Sequence, residues 1–366
     1  MKKLIFTAAA AFLAMALLPL IASGGQPATD TAVTNGIVSE SVRDDGSSES
    51  VTDASESVRD DGSSESVTDA SAPRGFPEGA CFRILNSASG EIVSVSDREF
   101  CCGALAYEMQ PGAGTEALKA QSVACYTHFC RLREQQKRNP DSSLNGADFV
   151  ADLSADEYWL SDATMKQKWG SLYESSRQKI EQAVDACAGL VLTDGDGALI
   201  DAAYHAMSGG VTESAADIFG QEDAHLQPTA SPWDKAAPDY CTTKAIPEAE
   251  FLRLLTADNE RFSSETAAGQ TDFPAERTPS GVVKTITIGG QSFSGAQLRS
   301  IFSLRSADFE LKHDNKQFIF TVYGYGHGVG MSQTGAQGMA EQGADFQEIL
   351  CHYYTDVRVQ AYTPTT

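Results

Sequence analysis

The chain has 366 residues, and 27 Lys and Arg against 50 Asp and Glu leave a formal charge of −23. That balance excludes a nucleic-acid partner, which needs clustered cations to meet phosphates. Apolar residues make up 42%, enough for a real core, and eight cysteines are too few for a disulfide-stapled scaffold. No CxxC pair occurs, so no structural zinc ribbon is expected.

Met1 to Gly24 reads as an export signal: Lys2 and Lys3 precede an uncharged apolar run from Leu4 to Ala22. The run approaches the ~20 residues a spanning helix needs, and the sequence lacks a clean A-x-A site, so a retained signal-anchor is favoured over a cleaved peptide. Either way, the lysines at the front place the bulk of the chain outside the cytoplasm, membrane-anchored or secreted. Residues 25–74 hold an unbroken tandem duplication, SESVRDDGSSESVTDA at Ser39–Ala54 and again at Ser55–Ala70. Its acidic, Ser- and Gly-rich composition cannot bury enough surface to offset ordering, so a self-repelling disordered linker is expected.

Residues 75–366 carry the expected folded domain. Strands are expected at Cys81–Leu85 and Glu91–Ser96, on either side of a turn. The small apolar stretch GALAYEM, Gly103–Met109, ends at a breaker of Pro111, Gly112 and Gly114, and a helix opens with Thr115 as its expected cap. Leu118, Cys125, Phe129 and Leu132 draw one face of that helix, which ends before Pro140. A second helical stretch runs from Asp162 to Ala188 and stops at Gly189. Strands are then expected at Leu190–Thr193, Leu199–Tyr204, Val282–Ile288 and Phe318–Tyr323, with a short helix in GAQLRSIF and a C-terminal one over Ala336–Tyr354. Helices and strands alternate without a regular βα rhythm, so the class is α+β, one large mixed domain with a substrate cleft.

Two segments stand out chemically. GYGHGVGMSQTGAQG, Gly324–Gly338, puts six glycines and His327 between a strand and a helix. It lacks the lysine of a phosphate loop, but lets backbone approach a ligand closely. YHAMSGGVTES, Tyr204–Ser214, places Tyr204, Ser208, Gly209 and Gly210 just past a strand, which suits a carbohydrate cleft. A lone histidine is more often structural than functional, so His327 is a candidate only with its neighbours.

These segments, with YEMQP at Tyr107–Pro111, EALKAQSVA at Glu116–Ala124, SPWD at Ser231–Asp234 and LRSIFSLRSADFEL at Leu298–Leu311, closely resemble the stage II sporulation protein D family. The resemblance runs from about residue 92 to 362. It implies a membrane-anchored, extracytoplasmic lytic transglycosylase that cuts peptidoglycan strands already stripped of stem peptides, in cell-wall remodelling such as engulfment during sporulation. It also implies a partner amidase and other membrane-anchored wall proteins. Some members carry a His and Cys zinc loop, but the corresponding stretch Gly146–Trp159 has neither residue, so no metal and no cofactor is expected.

Such a reaction uses one carboxylic acid, first as acid and then as base, and so favours a glutamate with a raised pKa. Glu108, flanked by Leu105, Ala106, Tyr107 and Met109, fits that need and matches the family's Glu-Met-Pro motif, although Gln110 stands before Pro111. Glu116 competes, but sits at a helix start that favours the charged form. Asp234 is the candidate second carboxylate, as a stabiliser of positive charge or a turn residue. Tyr204, Ser208, Gly209, Gly210, Tyr325, His327, Ser332 and Gln333 are the candidate glycan-binding or acid-orienting residues. Tyr126, His128 and Thr334 depart from the family pattern and put their contacts in question. The competing reading is a non-catalytic glycan-binding module that enhances an amidase.

Overall fold

Alternating apolar side chains pair the first two strands, β1 (Cys81–Asn86) and β2 (Ile92–Ser96), antiparallel, with Phe82, Ile84 and Val95 facing inward. The computed structural model describes residues 75–258, 267 and 269–364. The expected export segment and acidic repeat therefore lie outside the described residues. Among those described, no helix is long and apolar enough to cross a membrane.

Helix α1 (Asp97–Glu108) opens well before Gly103, because the Ser96 hydroxyl accepts the Glu99 N–H and two acidic residues fill the first turn. Helix α2 (Thr115–Arg138) starts as expected, but its cap is Gly114, not Thr115, and no side chain bonds there. A tertiary contact fixes the entry instead: the Gly114 N–H donates to Gln337 Oε1 at 2.6 Å. Strand β3 (Phe149–Ala151) then joins β1 in parallel.

The helical stretch from Asp162 is two helices, α3 (Asp162–Trp169) and α4 (Tyr173–Ala186). Gly170, at φ +52°, breaks the helix between them. Strand β4 (Leu190–Thr193) forms where expected, but Leu199–Tyr204 is not its hairpin partner. A single Thr193–Leu199 bridge forms, and the next strand is the short β5 (Tyr204–His205).

Beyond α5 (Ala215–Phe219) come β6 (Cys241–Pro247), α6 (Glu248–Asp258), β7 (Ala275–Arg277), β8 (Val283–Ile288), β9 (Gln291–Ser294), α7 (Gly295–Ile301), β10 (Phe309–Asp314) and β11 (Gln317–Tyr323). The chain returns through β12 (Met331–Ser332), α8 (Gln333–Glu341), α9 (Phe346–Tyr353) and β13 (Arg358–Ala361). The C-terminal helical stretch thus splits, since Gly343 adopts φ +94° and Asp345 opens α9 with a capping box to Glu348. Strand β13 pairs antiparallel with β4 instead.

The class is α+β, with two large hydrophobic cores and a small third cluster of Ala106, Leu160, Met165 and Tyr173 in one compact unit. In the first, α2 is the axis, packed by α1, α4, α8, α9 and β4. The second is built from the antiparallel sheets β10–β11–β6 and β7–β8–β9, with the Phe251 ring stacked between Phe302 and Phe318. The loop from Gly324 to Gly330 leaves the last strand of the second core and leads into β12, which pairs in parallel with β5. That pairing brings Tyr204 beside Met331 and delivers Gln333 to the end of α1.

Candidate active site

Glu108 is the last residue of α1, where the negative end of the helix dipole disfavours a second negative charge. The side chain is half-buried. Burial pushes its pKa up from 4.5 to about 7, against the pull of two hydrogen-bond donors. Those donors come from either side of the β5–β12 pair: Tyr204 OH at 3.2 Å from Oε1, and Gln333 Nε2 at 3.2 Å from Oε2. Behind Tyr204 lies the buried Cys125 thiol, 3.7 Å from the hydroxyl. At neutral pH the carboxyl is thus poised between its two protonation states, held at both oxygens, and able to give or take a proton.

Asp234 occupies a different environment. It is fully buried, and its carboxylate accepts from Ser208 N at 2.9 Å, from the Ser208 hydroxyl, and from Ser332 Oγ at 2.7 Å. Ser332 also caps α8 by accepting the Gly335 N–H. The arrangement ties the Ser208 turn to the start of α8, one residue before Gln333. Ser208 and Ser332 therefore present no free hydroxyl to a cleft. Gly210 adopts φ +103° with the Lys235 chain packed against its α-carbon, room that a Cβ would close. Gly209 likewise leaves space for the Asp308 carboxylate. Glu116 bonds to Lys119 Nζ at 2.7 Å and to the Phe346 N–H at 3.1 Å, which fastens α2 to α9.

On the glycine loop, Tyr325 pairs its backbone with Met207, and the Arg305 guanidinium lies 4.6 Å over its ring. His327 accepts the Val329 N–H at Nδ1, and its ring sits 5.6 Å from His205 and 5.4 Å from Phe219. Burial lowers the pKa of His327 to about 3 and of His205 to about 4, so both rings are neutral at physiological pH. The structure thus brings Glu108, Tyr204 and Gln333 together directly. It places Tyr325 and His327 on the adjoining loop, Asp234, Ser208 and Ser332 in the brace beneath, and Glu116 elsewhere.

Comparison with known proteins gives the family of the chain. Residues 86–193 match the stage II sporulation protein family. The stage II sporulation protein D of Bacillus amyloliquefaciens is 33% identical over 276 residues, 75% of this chain and 77% of that protein. The Bacillus subtilis protein of the same name is 33% identical over 75% of this chain and 78% of its own length. The chain belongs to the stage II sporulation protein D family. The amidase enhancer of B. subtilis is more distant, 24% identical over 71% of this chain and 40% of that protein.

In this family member, the departures from the motif pattern fall in packed positions. The Tyr126 hydroxyl donates to Asp97 at 2.7 Å, beside the Arg133–Asp97 pair in the first core. His128 faces Asp201, and Thr334 bonds to the Ala206 carbonyl. Several residues of the site went unnoticed in the sequence. Gln121, fully buried on α2, has Oε1 3.4 Å from Gln333 Nε2, while its own Nε2 has no partner. Tyr107 and Tyr158 are near enough to feel the Glu108 charge, and Tyr158 holds a left-handed backbone at φ +64°, a strained state for a bulky residue. Glu213, 2% exposed, is raised to about 7 by burial and bonds to Thr278, yet its Oε2 has no partner. Glu213 lies within YHAMSGGVTES, and its place just past the paired Gly209 and Gly210 is the signal that marks it. Among the described residues no set of three or more His, Cys, Asp or Glu side chains is arranged to hold a metal.

Proposed function

We propose that this protein is a peptidoglycan lytic transglycosylase acting on glycan strands stripped of stem peptides, with Glu108 as its single acid and base. The observation that carries this reading is the half-buried Glu108 carboxyl, with a pKa raised to about 7 and each oxygen held by a separate donor. Protonated Glu108 gives its proton to the glycosidic oxygen as the C1–O bond breaks, and positive charge develops on the sugar ring. The resulting carboxylate then takes the proton of the C6 hydroxyl as O6 bonds to C1. The acid is regenerated, no water is consumed, and the product ends in a 1,6-anhydro muramic acid. Tyr204 and Gln333 hold the carboxylate formed midway, and the Asp234 brace sets the position of Gln333.

With its pKa raised to about 7, the carboxyl can carry a proton at neutral pH when substrate arrives, and its own donation makes the carboxylate that then acts as base. The wall lies outside the cytoplasmic membrane, and the leading apolar run of the sequence fits export there, with a membrane-anchored amidase as the partner that strips the strands. The B. subtilis relative named an amidase enhancer favours a second reading, in which the domain binds stripped glycan and stimulates an amidase without cutting.

Incubating the full chain with amidase-stripped glycan in ¹⁸O-labelled water separates the two readings. Unlabelled anhydro ends support the transglycosylase, and labelled reducing ends would show a hydrolase. Bound but uncut glycan would favour the enhancer.

A further inference from the structure

Arg299, on α7, is the unusual charge beside the glycine loop. Arg98, Arg133, Arg177 and Arg305 each hold a carboxylate, but among the described residues no hydrogen bond or ion pair engages the Arg299 guanidinium, and its Nε is buried without a partner. Carboxylates are not scarce in a chain with 50 Asp and Glu. A part-buried guanidinium without an anion is costly, and such exceptions concentrate where a ligand supplies the missing partner.

The setting identifies that ligand. The turn after α7 is docked on the glycine loop: Leu304 N donates to Arg299 O at 2.9 Å, and Gly326 N donates to Arg305 O at 3.0 Å. Arg305 covers the Tyr325 ring, but Asp239 neutralises its charge at 2.7 Å. The Arg299 charge is felt at Tyr325, His205 and His327, and both histidines are neutral, so an uncompensated positive charge is left beside the loop.

We infer that Arg299 binds the lactyl carboxylate of a muramic acid residue in the glycan. This rests on the function proposed above and extends it to how the substrate is chosen. While a stem peptide is attached, the lactyl group is a neutral amide; once the amide is hydrolysed, it is a carboxylate. A guanidinium matches that carboxylate with paired donors. Arg299 thereby makes the site select strands that an amidase has already processed.

The test uses the full chain with Glu108→Gln to prevent turnover, and calorimetric titration with two probes. One is a stripped muramic-acid oligosaccharide; the other is the same oligosaccharide with its carboxylates converted to methylamides. The free acid should bind at least about tenfold more tightly than the amide, as expected for a charge-assisted pair. Adding Arg299→Gln should abolish that preference and leave amide binding unchanged, while Arg299→Lys should keep part of it. Preference retained in Arg299→Gln, absent from its parent, or lost together with amide binding would overturn the assignment. Product analysis of the unmodified chain is independent: if it shows no anhydro ends while the Arg299-dependent preference persists, the cutting mechanism falls and the carboxylate site stands.

Discussion

The Tyr204 hydroxyl meets Glu108 Oε1 at 3.2 Å although the two residues are 96 positions apart in the chain. Tyr204 lies on a strand of only two residues, held in place by its pairing with Met331 and Ser332. The protonation of Glu108 therefore depends on a junction made by the glycine loop's return into the first core.

The two donors on Glu108 favour its charged form, so removing either should raise its pKa further above 7. Tyr204→Phe and Gln333→Ala should each move the high-pH limb of the cleavage profile upward and slow cleavage by about tenfold, the scale of one lost hydrogen bond. Initial rates across pH 5 to 9 read both effects. An unmoved limb in both variants would separate these residues from the acid.

Burial raises the folded-state pKa of Glu108 from 4.5 to about 7, so binding the proton stabilises the fold. That contribution is complete below the unfolded value of 4.5 and is lost as pH rises through about 7. Glu108→Gln stays neutral throughout. It should be more stable than the parent at pH 8, on the order of 1–3 kcal/mol by urea unfolding, and converge with it near pH 4. Cleavage by the same variant should fall by about 10²–10⁴.

Asp234→Ala strips the acceptor from Ser208 N, Ser208 Oγ and Ser332 Oγ, all buried. It should cost about 2–5 kcal/mol in denaturant unfolding. Asp234→Asn, which keeps one acceptor oxygen, should cost less and retain measurable cleavage. A well-folded Asp234→Asn with no cleavage would show that the carboxylate acts on the substrate itself.

Local signals account for what was legible in the sequence. The apolar alternation of β1 and β2, the helical spacing of α2 and the apolar neighbours of Glu108 all lie within short windows, and periodicity reads such windows well. Breaks within helices were harder. Gly170 and Gly343 each end a helix that residue spacing alone would continue. The pairing of β4 with β13 joins segments about 165 residues apart, and no pattern at Leu199–Tyr204 announces its absence there. The meeting of Tyr204 and Gln333 on one carboxyl, with Gln121 bonded to Gln333 behind them, is likewise long-range. Tyr204 and Gln333 are candidates from their motifs; Gln121 lies within EALKAQSVA, but only the packing of α2 against α8 shows its part. Asp234 shows the reverse case: a carboxylate in a conspicuous motif that the fold uses to brace Ser208 and Ser332.

The most direct measurement is the titration of Glu108 itself, by ¹³C NMR of carboxyl-labelled full chain, with Glu108→Gln identifying the resonance. The account predicts a midpoint near 7 that moves upward in Tyr204→Phe. A midpoint near 4.5, unchanged by loss of Tyr204, would mean that the side chain is ionised at neutral pH and would contradict its role as the acid.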